Sequence, residues 1–373
     1  MVKLANSVSA VGTSKVIELK TALNTKFLER SDLIDGMLTS LLSKEPLLML
    51  GPPGTAKSMI CQAICDSLSG AKFFQWMMSK FTVSEELFGP LSLKALENDA
   101  YIRQTKDKLP EADIAFLDEV FKGSSAILNT MLTILNEKTF HNGGVTKVPL
   151  QTVYAASNEI PQAEELSAFY DRFVLRFFVE PVRDNSSIRI LFSGLPTVVF
   201  PTISLKELET EQKAAAAVTI STAMVDLLIR LRREIENEGF LVSDRKWVQA
   251  TRVLKAFAHL NGHITVEDTD FDILCHVLWS APEQRSKVRK VVMRVSNPFG
   301  EKLLDIVDGV KDIESQLDSG AGDAVESFMK VKHALKALND LGDPNLNHRL
   351  SIAIEKVRTI QAAIAKKHLG LND

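Results

Sequence analysis

Cysteine is scarce in this chain of 373 residues: there are three, Cys61, Cys65 and Cys275. That is too few for a disulfide framework, so a packed core must hold the fold. Cys61 and Cys65 stand four apart on one helical stretch, a spacing that reads as core packing rather than a metal pair. No run of 18 apolar residues occurs, and the start of the chain carries no charged-then-apolar leader. Neither a spanning helix nor a signal peptide is expected, and the cytoplasm is the expected compartment. Neither sign of charge dominates, with 44 Lys+Arg against 47 Asp+Glu and a net charge of −3. That balance gives no global pull toward nucleic acid or an anionic membrane, and no strong nucleic-acid motif stands out. There is no Gly-x-Ser-x-Gly nucleophile elbow. His259 and His263 are four apart, but Gly262 interrupts the helix end, no zincin Glu lies between them and no cysteine is near. What the chain has in quantity is apolar surface: 45% of residues are hydrophobic, enough for two or three domains with real cores.

The most informative segment is Gly51-Pro52-Pro53-Gly54-Thr55-Ala56-Lys57-Ser58. It follows a short apolar run, Pro46 to Leu50, and precedes a helical stretch from Met59 to Leu68. Strand, tight turn and helix N-terminus are the context of a phosphate-binding loop. Backbone N–H groups and the positive helix end would face a polyphosphate. Lys57 would lie against the β/γ-phosphates, and the Ser58 hydroxyl would ligate Mg²⁺. The general pattern has Gly directly before the Lys, where this chain has Ala56. If the backbone is left-handed there, alanine carries a penalty of roughly 1 kcal/mol. If the helix has already begun at Ala56, there is none.

About 60 residues on, Ile114-Ala115-Phe116-Leu117 reads as a buried parallel strand, and it ends in Asp118-Glu119. Open α/β sheets place their ligands at that end of the strand. Asp118 would hold Mg²⁺ directly or through water, and Glu119 would orient and deprotonate an attacking water. A second apolar strand, Thr152 to Ala156, ends in Ser157-Asn158-Glu159, which makes Asn158 the candidate to reach the γ-phosphate or the water. Next come Phe169-Tyr170-Asp171-Arg172-Phe173, with a second arginine at Arg176. Ser243-Asp244-Arg245-Lys246-Trp247 then opens an apolar helix through His259, where Arg245 could contact nucleotide from a second small domain.

The order of these parts resembles the AAA+ superfamily, and within it the MoxR branch, with the closest likeness to the RavA-type subgroup. The carrying segments are Gly51–Ser58, Ser84–Ser92, Phe116–Glu119, Ala126–Thr130, Ala155–Glu159, Tyr170–Arg172 and Val242–Arg245. The Ala-Lys-Ser ending of the loop is similar to that subgroup too. The resemblance covers roughly residues 15 to 285. It implies ATP/ADP and Mg²⁺ as cofactors, with Lys57 and Ser58 on phosphate and metal and Asp118 and Glu119 as the Walker B pair. It makes Asn158 sensor 1, Arg172 the arginine finger with Arg176 as its competitor, and Arg245 sensor 2. It further implies a homo-oligomeric ring, expected to be a hexamer. The implied work is chaperone-like remodelling or maturation of a protein client, often with a von Willebrand factor A domain partner. Two rivals stay open: a nucleic-acid-dependent motor, and a nucleotide-gated assembly scaffold whose hydrolysis is incidental.

The expected fold class is α/β: an AAA+ parallel αβα core with β-hairpin inserts, an all-α lid and a C-terminal helical segment. Residues 1–190 form the nucleotide-binding core, with 1–13 small, polar and mobile. Residues 191–285 form a connector and helical lid, and 286–373 a helical hairpin or small bundle. Helices are expected at about 14–24 and 28–43. Strands are expected near Leu47–Leu50, Lys72–Trp76, Asp113–Leu117, Thr152–Ala156 and Val174–Phe178. Phe88 to Gln104 holds short apolar pieces separated by turn residues, and the resemblance implies a β-hairpin insert within the second helix there. Asn142-Gly143-Gly144 between β-prone runs signals another hairpin. Lys80, Phe81 and the hairpin tips are candidates for pushing on a partner, with packing between neighbouring subunits as the equal alternative. The lid is read as helices Ser221–Glu238, Ser243–His259 and Val266–Trp279. In the C-terminal part, Leu303, Ile306, Val310, Ile313 and Leu317 mark one helix. Val325, Phe328, Leu335 and Leu338 mark a second, and Leu350, Ile354, Val357, Ile360 and Ile364 a third. Gly320–Asp323 and Gly342–Pro344 separate the three.

Overall fold

The computed structural model describes residues 14–159, 167–296, 300–318, 322–341 and 348–368. The stretch 1–13 and most of the two glycine-containing separators of the C-terminal helices lie outside the described residues. The chain divides into two compact units: Met1–Ser221 with Val242–Val266 and His276–Ser280, and Thr222–Leu241 with Glu267–Cys275 and Ala281–Asp373.

The first unit is built on apolar runs too short to be helices. Leu47–Leu50 (β1) is buried at every residue, as is Thr152–Ser157 (β7), which is the pattern of a parallel strand covered on both faces. Between them in the chain lie Leu68–Ser69 (β2), Phe73–Met77 (β3), Ile114–Asp118 (β4), Thr139–His141 (β5) and Val145–Lys147 (β6). Leu175–Phe178 (β8) and Ile203–Ser204 (β9) follow. Five strands make one parallel sheet in the order β3-β4-β7-β1-β8. The pairs β2–β9 and β5–β6 stand apart from it.

Helices Lys15–Lys26 (α1), Ser31–Ser43 (α2) and Lys57–Asp66 (α3) lie in the first third of the chain. Ser14 caps α1 through its hydroxyl. The helix α2 turns nine buried residues inward. At Gly36 an added Cβ would lie 2.1 Å from the Phe177 ring, so this helix meets β8 where only glycine fits. The insert after β3 differs from a regular hairpin. It consists of Ser84–Phe88 (α4), one turn of helix at Leu93–Leu96 (α5) and a single antiparallel bridge from Leu91 to Arg103. The second insert is a hairpin, with β5 and β6 paired around Asn142-Gly143-Gly144. The two inserts are joined: Arg103 N–H donates to Asn142 Oδ1 at 2.6 Å, and Asn142 Nδ2 donates to the Arg103 carbonyl at 3.0 Å.

Between β4 and β5 runs Ser125–Glu137 (α6), and Ser167–Tyr170 (α7) precedes β8. After β8 come Asn185–Ser193 (α8) and Leu205–Ala217 (α9). The chain then passes through Thr222–Asn237 (α10) in the second unit and returns as Asp244–Leu260 (α11), which packs on α2 and α9. Glu45, at the base of β1, receives Gln249 Nε2 at 3.0 Å and Arg252 Nη1 at 3.1 Å from α11.

The second unit is helical. The segment expected as a helix over Val266–Trp279 is instead a run of 3-10 turns, Asp268–His276. Arg285–Ser296 (α12) packs on α10 and on Gly300–Asp318 (α13). With Ala324–Asn339 (α14) and His348–His368 (α15), α13 closes a three-helix core around Val310, Val331, Leu338, Leu350 and Val357. Val325, expected inside, is 60% exposed, and Val331 takes the inward position on that helix.

Candidate nucleotide site

All five strands of the main sheet point the same way, so motifs that follow strands meet at one edge. β1 feeds directly into the Gly51–Ser58 loop. Gly51 has φ 146°, and its N–H donates to the Ser157 carbonyl at 3.1 Å. A Cβ there would lie 2.2 Å from the Val179 carbonyl oxygen. The loop therefore begins in close backbone contact with the ends of β7 and β8, which only glycine permits. Gly54 and Ala56 are both left-handed, with φ 79° and 67°. Ala56 is thus outside the helix, and of the two alternatives for this position the strained one holds. The helix α3 begins at Lys57, and its first N–H groups have no partner within the helix.

Lys57 is buried, and its Nζ donates to the carbonyls of Gly51 and Pro52, each at 2.8 Å. Burial pushes its pKa below the ordinary lysine value, while the nearby carboxylates of Asp118 and Glu119 pull it back up. Arg30 is a loop contact that sequence reasoning did not assign. Its guanidinium donates to the carbonyls of Thr55 at 3.2 Å, Glu180 at 2.8 Å and Glu29 at 2.8 Å. It fastens the loop to the exit of β8. A single arginine before a helix carries no local signal of such a role.

The carboxylates stand at the tip of β4. Glu119 is left-handed at φ 51°, and its N–H donates to Asp118 Oδ1 at 3.0 Å. Its side chain accepts from Asn158 Nδ2 at 2.6 Å on Oε1 and lies 3.4 Å from Lys122 Nζ on Oε2. The structure thus brings Lys57, Asp118, Glu119 and Asn158 together, and adds Lys122. Ser58, on the first turn of α3, is exposed. Among the described residues no group of three or more His, Cys, Asp or Glu side chains is arranged to hold a metal. An exposed hydroxyl and one carboxylate suit Mg²⁺, which takes few protein oxygens and completes its shell with water and phosphate.

The arginines lie elsewhere. Arg172 sits between α7 and β8, and the next residues anchor to the foot of β1 through Val174 N–H on the Pro46 carbonyl at 3.1 Å. It is therefore at the opposite edge of the sheet from the loop, about 15–20 Å away along β1. Its Nε is buried with no hydrogen-bond partner among the described residues. Arg176 is fully buried within β8. Its guanidinium donates to the carbonyls of Trp279 and Tyr170 and to Asp171, and covers the Tyr170 ring at 4.2 Å. It cannot reach beyond its own subunit, which removes it as the competing finger. Arg245 is exposed and donates to Asn136 Oδ1 at 2.7 Å. Asn136 lies in the last turn of α6, about 16 Å of helix below the start of that helix near the carboxylate edge. Arg245 is thus not brought to the loop of its own chain.

Comparison with known proteins agrees with this architecture. Residues 14–216 match the family model described as the MoxR domain in the MoxR-vWA-beta-propeller ternary systems, and residues 223–292 match an AAA lid domain. The chain belongs to the MoxR family of AAA+ ATPases. It is 39% identical to the uncharacterized protein MJ0079 of Methanocaldococcus jannaschii over 306 residues, 81% of this chain and 80% of that protein. It is 41% identical to MJ0812 of the same organism over 288 residues, 76% of each chain. Among solved structures, a "putative ATPase" from Cytophaga hutchinsonii superposes with a TM-score of 0.60 at 18% identity, covering 75% of this chain and 93% of that one. At that identity the likeness speaks for the fold alone.

Proposed function

We propose that this chain hydrolyses ATP to ADP and phosphate as a head-to-tail ring, a hexamer in its simplest form. Its turnover would drive remodelling of a protein complex. The carrying observation is the polarity of the sheet. Lys57, Glu119 and Asn158 meet at one edge, while Arg172 and Arg245 lie at the other. A heterologous interface repeats one edge against the other and closes into a ring when the rotation permits. Each site would then receive Arg172 and Arg245 from its neighbour, which moves Arg245 from a same-chain to a trans role. Glu119 would take the proton of the attacking water, held in orientation by Asn158. Lys57 and the loop N–H groups would hold the phosphates, and Mg²⁺ on Ser58 and Asp118 would offset their charge. The proposed organisation keeps 1–190 as core, 191–285 as connector and lid, and 286–373 as a helical hairpin or small bundle. The family model supports a von Willebrand factor A protein and a β-propeller protein as partners. The narrower RavA-type likeness rests on the Ala56-Lys57-Ser58 ending and the lid motif.

The test is specific ATPase activity against protein concentration, with oligomer size followed in parallel. Activity should rise as the ring forms. Arg172→Ala should keep nucleotide affinity and lose roughly 10³-fold or more in turnover. A rate proportional to protein from the monomer upward, with Arg172→Ala fully active, would overturn the trans arrangement.

A further inference from the structure

Arg30 is only 6% exposed, yet its guanidinium donates to three main-chain carbonyls: Nε to Thr55, Nη2 to Glu180 and Nη1 to Glu29. Burying a cation on neutral acceptors is costly. Only the planar fork of an arginine lets one side chain hold carbonyls from three separate directions. Glu29, the residue before it, takes the other pole of the backbone. Its carboxylate accepts the Arg183 N–H at 3.0 Å on Oε2 and the Asp184 N–H at 2.9 Å on Oε1. Glu29 is left-handed at φ 55°, a conformation that persists in a non-glycine residue only where the surroundings enforce it. The pair therefore grips both ends of Glu180–Asp184, the chain between β8 and α8. None of the nine residues of α8 is buried, so this grip and the Asp184 cap fix its start rather than a core beneath it. Arg30 alone also reaches the phosphate loop.

The Thr55 carbonyl is the informative acceptor. It shares a trans peptide with the Ala56 N–H, so the two point in opposite directions. Arg30 holds the carbonyl end. The N–H end is turned away from Arg30 and makes no hydrogen bond among the described residues. We propose that Arg30 is a positioning residue of the nucleotide site: it aims the Ala56 N–H at the polyphosphate, and with Glu29 it makes the chain entering α8 follow the loop when nucleotide binds. The proposal rests on the reading of Gly51–Ser58 as a nucleotide loop, and it holds within a single chain whether or not a ring forms. A lysine cannot do this work, because one ammonium is a point charge and cannot span the carbonyls of residues 29, 55 and 180.

The test compares Arg30→Lys, Arg30→Met and Glu29→Gln with the wild type. Affinity for ATP with Mg²⁺ is measured by calorimetry, and Tm is followed alongside. Arg30→Lys keeps the charge and the buried stem, so it should stay folded and bind ATP roughly 10–100-fold more weakly. The lost contact acts on bound substrate and transition state alike, so KM should rise by that factor with kcat at saturation little changed. Amide hydrogen exchange reads the second half of the proposal. In the wild type, ATP should slow exchange across residues 183–193. In Glu29→Gln that slowing should be lost, while affinity falls far less than in the Arg30 variants. A folded Arg30→Lys protein that binds ATP like the wild type would overturn the positioning role. If Arg30→Met does not fold, Arg30→Lys decides alone. ATP-dependent slowing that survives in Glu29→Gln would overturn the link to α8. A folded wild type that binds no ATP would overturn the nucleotide reading itself, and the role of Arg30 with it.

Discussion

Replacing Ala56 by glycine should stabilise this protein. Ala56 has φ 67° and ψ 14° and stands at the N-cap of α3. A left-handed conformation costs an L-residue about 1–2 kcal/mol. Glycine removes that penalty but loses roughly 0.4–1 kcal/mol through the greater freedom of the unfolded chain. Glycine is also preferred over alanine at an N-cap, which adds a few tenths of a kcal/mol in the same direction. The net gain is about 0.5–1 kcal/mol. For a unit of this size that is a rise in Tm of roughly 1–4 °C. Thermal unfolding of the full chain without nucleotide would measure it, with urea midpoints as a second probe. Ala56→Val should move the other way and further, because a β-branched residue tolerates positive φ least. Nucleotide affinity should change little, since the loop already has its left-handed turn. An Ala56→Gly protein that melts lower than the wild type would refute the reasoning: residue 56 would then belong to the helix, where glycine is destabilising.

Lys138 offers a pH test. It caps α6 with its Nζ buried and unpartnered, and burial lowers its pKa from 10.5 to about 8, against the pull of Glu45 and with a small push from Lys44. Between those values the unfolded chain holds more protons than the folded one, so stability should increase as pH rises from about 8 to 10.5; below pH 8 the full penalty, about 3 kcal/mol, is present. Lys138→Met should raise Tm at pH 7 and flatten that rise; equal pH profiles for the two proteins would refute the assignment. At the nucleotide edge, Asn158→Ala removes the 2.6 Å donor to Glu119. Turnover should fall roughly 10–100-fold with ATP affinity within about twofold, read as kcat against a binding isotherm. Unchanged kcat would mean that Glu119 needs no such orientation.

What could be read in the residue order was what neighbouring residues decide. Apolar runs of four to six residues marked the buried strands to within a residue or two, because a parallel strand has no polar face to alternate. Gly51 to Ser58 announced a phosphate loop because its backbone demands are met within eight residues. Asp118, Glu119 and Asn158 were legible through their places at strand ends, since parallel topology gathers such ends automatically. Other features depended on contacts between distant segments. The choice between a strained and a helical Ala56 turned on how the loop met β7 and β8. Arg30 gained its role from carbonyls 25 and 150 residues away. Arg172 and Arg176 share a sequence neighbourhood, yet one faces the base of the sheet and the other lies beneath Tyr170 and Trp279. Arg245 was read toward its own phosphate loop and lies instead against Asn136, because α11 packs on α2 and Glu45 at the far edge. Local chemistry thus determined which residues can act on a nucleotide. Only the tertiary packing decided which of them share one chain's site, because that depends on which edge of the sheet each element reaches.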